Sequence, residues 1–340
     1  MTRHIESFMK PGADFLGSRY PIICGAMSWV SDAKLVAAMG DAGGFGLLAG
    51  ANAPPEAFRD EILKTRELTQ APFGVNLITV SPNYASQLDM VCEMDCSTIV
   101  FAGSFPKEKE IKRAKESGAK VICFAPTEAL AHKLIAMGSD ALILEGSEAG
   151  GHIGPVALTV LLQQILFRVD TVPIFTAGGI ATGEMIAHMF MMGAAGVQLG
   201  TRFVMSRECT AHYKFKEEFR KARARDAVAT PQFDHRLPVI PVRALKNAST
   251  AEFSKLQLSL MTRLERNEIS REDAQYEVEH YWLGALRRAV VEGDVDHGSL
   301  MAGQSVGLMD DIKSLKEIIE EFLTDAEATI LKLKQRICTP

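Results

Sequence analysis

Short apolar runs recur at nearly even spacing along roughly the first 200 residues, and this rhythm constrains the fold more than any other feature. The runs begin at Pro21 (PIIC), Gly46 (GLLAG), Phe73 (FGVNLI), Thr98 (TIVFAG), Lys120 (KVICFA), Asp140 (DALILEG), Val172 (VPIFTAGG) and Gly196 (GVQLGT). Successive starts lie 25, 27, 25, 22, 20, 32 and 24 residues apart, as the differences of those positions. Each interval is long enough for one strand, one helix and two short loops, the pattern of βα units around a parallel sheet. Eight such units predict an α/β fold closed into a (β/α)8 TIM barrel. A doubly wound open sheet is the alternative. It would carry GxGxxG after its first strand, whereas this first run ends CGAMS.

The segments between the runs read as helices. Asp32–Gly43 places Leu35, Val36 and Met39 on one face, and Gly43-Gly44 stops it. Pro54-Pro55 opens the next helix in its first turn, where a missing N–H is harmless. Lys107–Ser117 is a charged, solvated helix that ends at Gly118. The texture changes after about Arg207. Arg220–Arg225 is basic, Thr230–Pro241 carries three prolines, and Thr250–Arg288 reads as two charged amphipathic helices with no strand between them. We therefore expect residues 1–207 and 297–340 to form the barrel, and 208–296 to form an inserted, mainly helical cap or lid. Asp310–Lys334 is expected to be a long amphipathic helix that returns to the barrel wall, with Ile312, Leu315, Ile318, Ile319 and Phe322 on its apolar face.

Composition narrows the function. The chain has 340 residues and a net charge of −5, and this mild acidity gives no electrostatic footprint for nucleic acid, which needs clustered Lys and Arg together with a high pI. Its 47% hydrophobic content supports a large core. The N-terminus lacks the apolar stretch of a signal peptide. No run approaches the roughly 18–20 apolar residues of a membrane span. The expected location is the cytoplasm, without membrane or nucleic-acid partners. The six cysteines do not fall at zinc-ligand spacing and read as buried or idle thiols. No HxxxH or HxH pair points to a metal. His4, His132, His188, His212, His235, His280 and His297 have no context that suggests chemistry.

In an α/β barrel the active site lies at the C-terminal ends of the strands. Here those ends are small: Gly25-Ala26-Met27, Ala49-Gly50, Asn76, Ala102-Gly103, Phe124-Ala125, Glu145-Gly146, Ala177-Gly178-Gly179 and Gly200-Thr201. Small residues let a large flat ligand approach the backbone. Phosphate in such barrels binds at the loops after strands seven and eight. Gly178, Gly179 and Ile180, together with Gly200 and Thr201, are expected to offer backbone N–H groups to an anion there, with the Thr201 hydroxyl as a further donor. Between Glu145 and Gly154 runs EGSEAGGHIG, with two carboxylates and one histidine amid small residues. His152 is the candidate for proton transfer near neutral pH.

PIICGAM, GVNL, EGSEAGGHIG, FTAGGI, VQLGTRF and MAGQSVGL, in this order, resemble the nitronate monooxygenase (2-nitropropane dioxygenase) family, which also includes FMN-dependent enoyl-acyl-carrier-protein reductases and quinone reductases. The resemblance covers residues 20–207 and 297–325; the segment 208–296 matches only in general character. It implies a TIM barrel holding FMN without a covalent link. Gly25, Ala26 and Met27 would pack on the flavin ring, Asn76 would hydrogen-bond it, and Gly150 and Gly151 would pass close to it. Gly178, Gly179, Gly200 and Thr201 would hold the phosphate. His152 would be the catalytic acid/base, and Gln304 would lie near the flavin. Glu145 and Ala177, at the sixth and seventh strand ends, are counted with the cofactor-binding residues.

The implied activity is oxidation of alkyl nitronates with O2. The alternative is reduction of enoyl thioesters or quinones, with NADH or NADPH as reductant. GGHIG, with Ile153 after the histidine, and Glu145 both lean towards the enoyl reductases. A phosphate-binding barrel without redox chemistry is a third reading. Expected partners are a small-molecule substrate and O2, with homodimerisation open.

Overall fold

The computed structural model describes residues 4–51, 53–233, 237 and 240–338, so His235 lies outside the described residues. The strands are β1 (Ile22–Cys24), β2 (Phe45–Ala49), β3 (Phe73–Ile78), β4 (Thr98–Ala102), β5 (Lys120–Phe124), β6 (Ala141–Glu145), β7 (Gly151–His152), β8 (Ile174–Ala177), β9 (Gly196–Leu199), β10 (Ala227–Ala229) and β11 (Val242–Leu245). All but β7, β10 and β11 close into a parallel barrel in the order β1-β2-β3-β4-β5-β6-β8-β9. Each of the expected apolar runs is a barrel strand, and the TIM barrel expectation holds.

Strand periodicity explains the near-continuous apolar runs. Alternate residues face opposite sides of a strand, and in this barrel both sides are buried. Ile23, Phe45, Leu47, Val100, Ile122, Ile143 and Phe175 form the cluster inside the barrel. Their strand neighbours Ile22, Leu48, Ile99, Phe101, Val121, Leu142, Leu144 and Ile174 belong to the second layer, under the helices. An N-terminal helix that the sequence reading did not anticipate, α1 (His4–Leu16), stops the inner layer at one end. Its Phe15 and Leu16 pack with the inner cluster, and the Phe15 ring lies 5.9 Å from that of Phe175.

The barrel helices are α2 (Ala33–Asp41), α3 (Pro55–Leu68), α4 (Tyr84–Glu93), α5 (Glu108–Glu116), α6 (Glu128–Ala136), α7 (Leu158–Leu161), α8 (Gly183–Met191) and α9 (Thr201–Val204). Their starts follow capping chemistry. The Asp32 carboxylate accepts from the Leu35 N–H at 2.9 Å, and Pro55 sits in the first turn of α3.

Residues 208–296 contain α10 (Tyr213–Lys221), α11 (Ala248–Glu265) and α12 (Arg271–Arg287), together with strands β10 and β11. Helices make up most of its described residues, and its two strands were not foreseen. They form an antiparallel sheet in the order β10-β11-β7, and β7 belongs to the loop after barrel strand β6. This segment is thus joined to the loop after β6 by backbone hydrogen bonds. It also has its own apolar core, built on Phe253, Leu260, Val278 and Trp282.

The last helix, α13 (Leu315–Cys338), begins later than Asp310. Ser314 and Glu317 cap it reciprocally: the Glu317 carboxylate accepts from the Ser314 N–H at 2.7 Å, and the Glu317 N–H donates to the Ser314 hydroxyl at 3.2 Å. Ile312 therefore lies outside the helix and is exposed, while Leu315, Ile318, Ile319 and Phe322 are buried. The helix returns to the barrel wall, with the Phe322 ring 6.4 Å from Phe203 of α9.

Candidate functional site

The strand ends open into a cavity of about 630 Å³, within the range of about 300–1,000 Å³ typical of cofactor and small-ligand sites. Gly25, Ala26, Met27, Asn76, Glu145, Gly150, Gly151, His152, Ala177, Gly178, Gly179, Gly200 and Thr201 all line it. Gln304 does not line it, although its neighbours Gly303 and Ser305 do. The Gln304 N–H is bonded to the Glu148 carbonyl at 2.9 Å. A second chamber of about 300 Å³ lies outside the first, under α12 of the cap. Ser28, Ile78, His152, Ile240, Leu286 and Met301 line both, so His152 stands at the junction.

The loops after β8 and β9, where the sequence reading expects phosphate, are shaped by backbone conformation. Gly178 and Gly179 have φ of +89° and +71°, a region where side chains are strained. A Cβ on Gly178 would sit 2.8 Å from the Gly146 carbonyl oxygen. Among the described residues, no hydrogen bond engages the N–H groups of Gly178, Gly179, Gly200 or Thr201. Those donors are left for an anion. The Thr201 hydroxyl accepts from the Gly303 N–H at 3.0 Å, which leaves its own proton to donate.

Other polar side chains fix the cavity wall or lie unpaired in it, among the described residues. Ser31 holds the loop after β1, accepting from the Met27 N–H at 3.0 Å and donating to the Gly25 carbonyl at 2.8 Å. Asn76 is buried and donates to the Val100 carbonyl at 3.3 Å. Gln198 was not anticipated. It is buried beside Gly25, and its Oε1 has no partner among the described residues. A buried acceptor left unpaired is costly, and the imide N–H of a flavin is the kind of group that would satisfy it. The free donors at one end, this orphan acceptor and the small strand ends fit the FMN that the sequence resemblance implies. No group of His, Cys, Asp and Glu among the described residues is placed to hold a metal ion.

His152 is positioned by the sheet that the sequence reading missed. It pairs with Val242 of β11, Gly151 pairs with Arg243, and the Ile153 N–H donates to the Pro241 carbonyl at 2.9 Å. Arg243 is buried and pins the start of the same loop, donating to the Ser147 carbonyl at 3.0 Å and the Ala227 carbonyl at 2.6 Å. Gly150 passes so close to the 302–303 backbone that a Cβ would lie 2.5 Å from the Gly303 nitrogen. The loop can occupy this path only with glycine there.

The electrostatics follow from burial and two carboxylates. His152 Nε2 lies 3.3 Å from Glu279 Oε1 of α12, an ion-pair contact without hydrogen-bond geometry. Nε2 itself is covered, while the side chain as a whole is 34% exposed, at the junction of the two chambers. Burial alone would lower the pKa of the imidazole. Glu279, followed by Glu145, outweighs it, and the net shift is upwards.

Burial pushes the Glu145 carboxyl up to about 8, against the opposing pull of His152. Glu145 is therefore largely neutral at pH 7, so at that pH Glu279 is the carboxylate that raises His152, and Glu145 adds to it only at higher pH. A raised carboxyl pKa favours the protonated folded state, so this contribution to stability is present below the ordinary carboxylate range and is lost as pH rises towards 8. At about 1.4 kcal/mol per pKa unit, and discounting for the part that faces the open cavity, the loss is about 2–3 kcal/mol. Glu145→Gln is expected to remove it. Melting of the apoprotein between pH 6 and 9 checks this: the variant should hold its midpoint a few degrees better than the parent at pH 9. Equal pH slopes would show that Glu145 is not a buried acid.

The comparisons with known proteins agree with this geometry. The chain matches the sequence profile of the nitronate monooxygenase family over residues 10–87 and 78–325. It is 32% identical to the (3aS,4S,5R,7aS)-5-hydroxy-7a-methyl-1-oxo-octahydro-1H-indene-4-carboxyl-CoA dehydrogenase of Mycobacterium tuberculosis, covering 93% of this chain and 95% of that one. It is 27% identical to a probable nitronate monooxygenase of Staphylococcus aureus, covering 85% and 90%. The structure of FabK from Thermotoga maritima superposes with a TM-score of 0.84 at 38% identity, covering 95% of this chain and 98% of that one. With a barrel whose strand ends fit a flavin and a family match across most of its length, the chain belongs to the nitronate monooxygenase family and is a flavin-dependent oxidoreductase.

Proposed function

We propose that the chain binds FMN in the inner cavity and carries out redox chemistry at the carbon–carbon bond next to an acyl thioester, taking electrons from NADH or NADPH. FMN supplies the hydride chemistry when bound. Net, an enoyl thioester, a reduced nicotinamide and a proton give the saturated thioester and the oxidised nicotinamide. Gly178, Gly179, Gly200 and Thr201 hold the phosphate, while Asn76 and Gln198 orient the ring. His152 delivers the proton to the carbon beside the thioester carbonyl. The cap keeps water from the junction where this happens.

The observation that carries the reading is the Glu279 carboxylate 3.3 Å from His152 Nε2. That carboxylate favours the protonated imidazole, and reduction of an enoyl thioester needs a proton donor for the carbon beside the carbonyl, whereas oxidation of a nitronate, already deprotonated, needs none. The carboxyl-CoA dehydrogenase at 32% identity supports the same substrate class. The second reading is nitronate oxidation with O2, favoured by the family's own description and the relative at 27% identity.

Anaerobic titration separates the two. NADH or NADPH is expected to bleach the flavin, and crotonyl thioester to restore its colour. Bleaching by propionate 3-nitronate, with none by either nicotinamide, would instead establish the second reading. A quinone that restores colour where the thioester fails would move the substrate class to quinones.

A further inference from the structure

The cap helix α12 directs one side chain at the proton-transfer group across the mouth of the barrel. Glu272, Tyr276, Glu279, Leu283 and Leu286 recur at helical spacing and line the outer chamber. Of these, Glu279 reaches His152, at 3.3 Å from Nε2. The cap is stitched to the same loop through β7 and β11. His152 and Glu279 are thus held from two sides of one structural unit. No hydrogen bond engages His152 Nδ1 among the described residues. With Nε2 in ion-pair contact with a carboxylate, Nδ1 is the nitrogen available for chemistry.

We propose that Glu279 is a positioning residue for His152: its carboxylate holds the imidazole by Nε2, so that Nδ1 carries the proton offered to the substrate, and only while α12 lies over the mouth. The inference rests on the reading of His152 as the proton donor. The other charged groups around the ring are accounted for. Glu272 and His280 share the outer chamber from α12. Glu145 reaches the ring from β6 and raises its proton affinity less than Glu279 does. Arg243 of β11 is spent on the Ser147 and Ala227 carbonyls. Glu148 is turned away and accepts from the Leu158 N–H at 3.0 Å.

The test compares the FMN-loaded parent, Glu279→Gln and Glu279→Asp. Imidazole NMR titration follows His152, identified by the resonance lost in His152→Asn, and turnover is recorded against pH. Glu279→Gln is expected to weaken the proton affinity of His152 about tenfold. It should also move the alkaline limb of the turnover profile to lower pH in step, since an acid stops working as it loses its proton. Glu279→Asp should restore part of both. If the titration of His152 is the same in Glu279→Gln and the parent, the inference fails and the donor role stands. If the titration moves and the turnover profile does not, the donor role of His152 fails and the inference falls with it.

Discussion

Replacing His152 by asparagine is expected to leave the flavin spectrum intact and to lower turnover roughly 10²–10⁴-fold, the usual size of acid–base assistance. Asparagine keeps the backbone pairing of β7 with β11, because Val242 pairs with the main chain at that position. It also keeps a polar side chain at the junction of the two chambers. What it removes is the group that gains and loses a proton near neutral pH. The pH profile gives a second check. The imidazole is held above its ordinary range against burial by Glu279, with Glu145 adding to it only at higher pH. Parent activity that depends on its proton should therefore persist at neutral pH and fall as pH rises through the raised value. Steady-state turnover of the variant, normalised to bound flavin, decides the matter. Unchanged turnover would remove His152 from the chemistry.

Gly179→Val is expected to fold and to lose its flavin, with affinity weakened at least about 100-fold, or about 2.7 kcal/mol. Three costs combine. At φ +71° a side chain other than glycine costs roughly 1–2 kcal/mol, and β-branching adds to that. A Cβ there would press on the Glu148 Cβ at 3.2 Å, and Glu148 is held by the Leu158 N–H and, through its own carbonyl, by Gln304. Any shift that relieves the strain also turns away the free N–H groups of Gly178 and Gly179. Hydrogen bonds to a charged phosphate are worth about 1.5–3 kcal/mol each. Gel filtration with the flavin absorbance followed, beside far-UV circular dichroism, reads binding and folding separately. A variant that retains flavin like the parent would overturn the phosphate assignment.

The sequence reading reached the barrel and most of the cavity lining because both are written in neighbouring residues. A run such as DALILEG followed by small residues is both a buried strand and an open strand end. Positions such as Gly178 and Gly179 are visible as a pair. The N-terminal helix was missed although Ile5, Met9, Gly12 and Leu16 are buried along one side of it. A 3.6-residue pattern was present there and went unread. Val242–Leu245 carried a weaker signal, a four-residue apolar-flanked run after Pro241. Nothing nearby in the chain shows that its partner is the two-residue strand containing His152.

By itself the sequence determined the eight βα units, the glycine strand ends and a single histidine among them, since periodicity and backbone permissiveness are local properties. Only the tertiary structure decided that Arg243 pins the His152 loop, that Gln198 lines the cavity with an oxygen that has no partner among the described residues, and that Glu279 touches Nε2. In sequence, Glu279 is one more acid on a charged helix. Its meaning comes from where α12 is laid, and that is fixed by the β7–β11 pairing and by the cap core around Trp282 and Phe253. Such pairings join residues far apart in the chain through burial and backbone hydrogen bonds, and no local pattern specifies them.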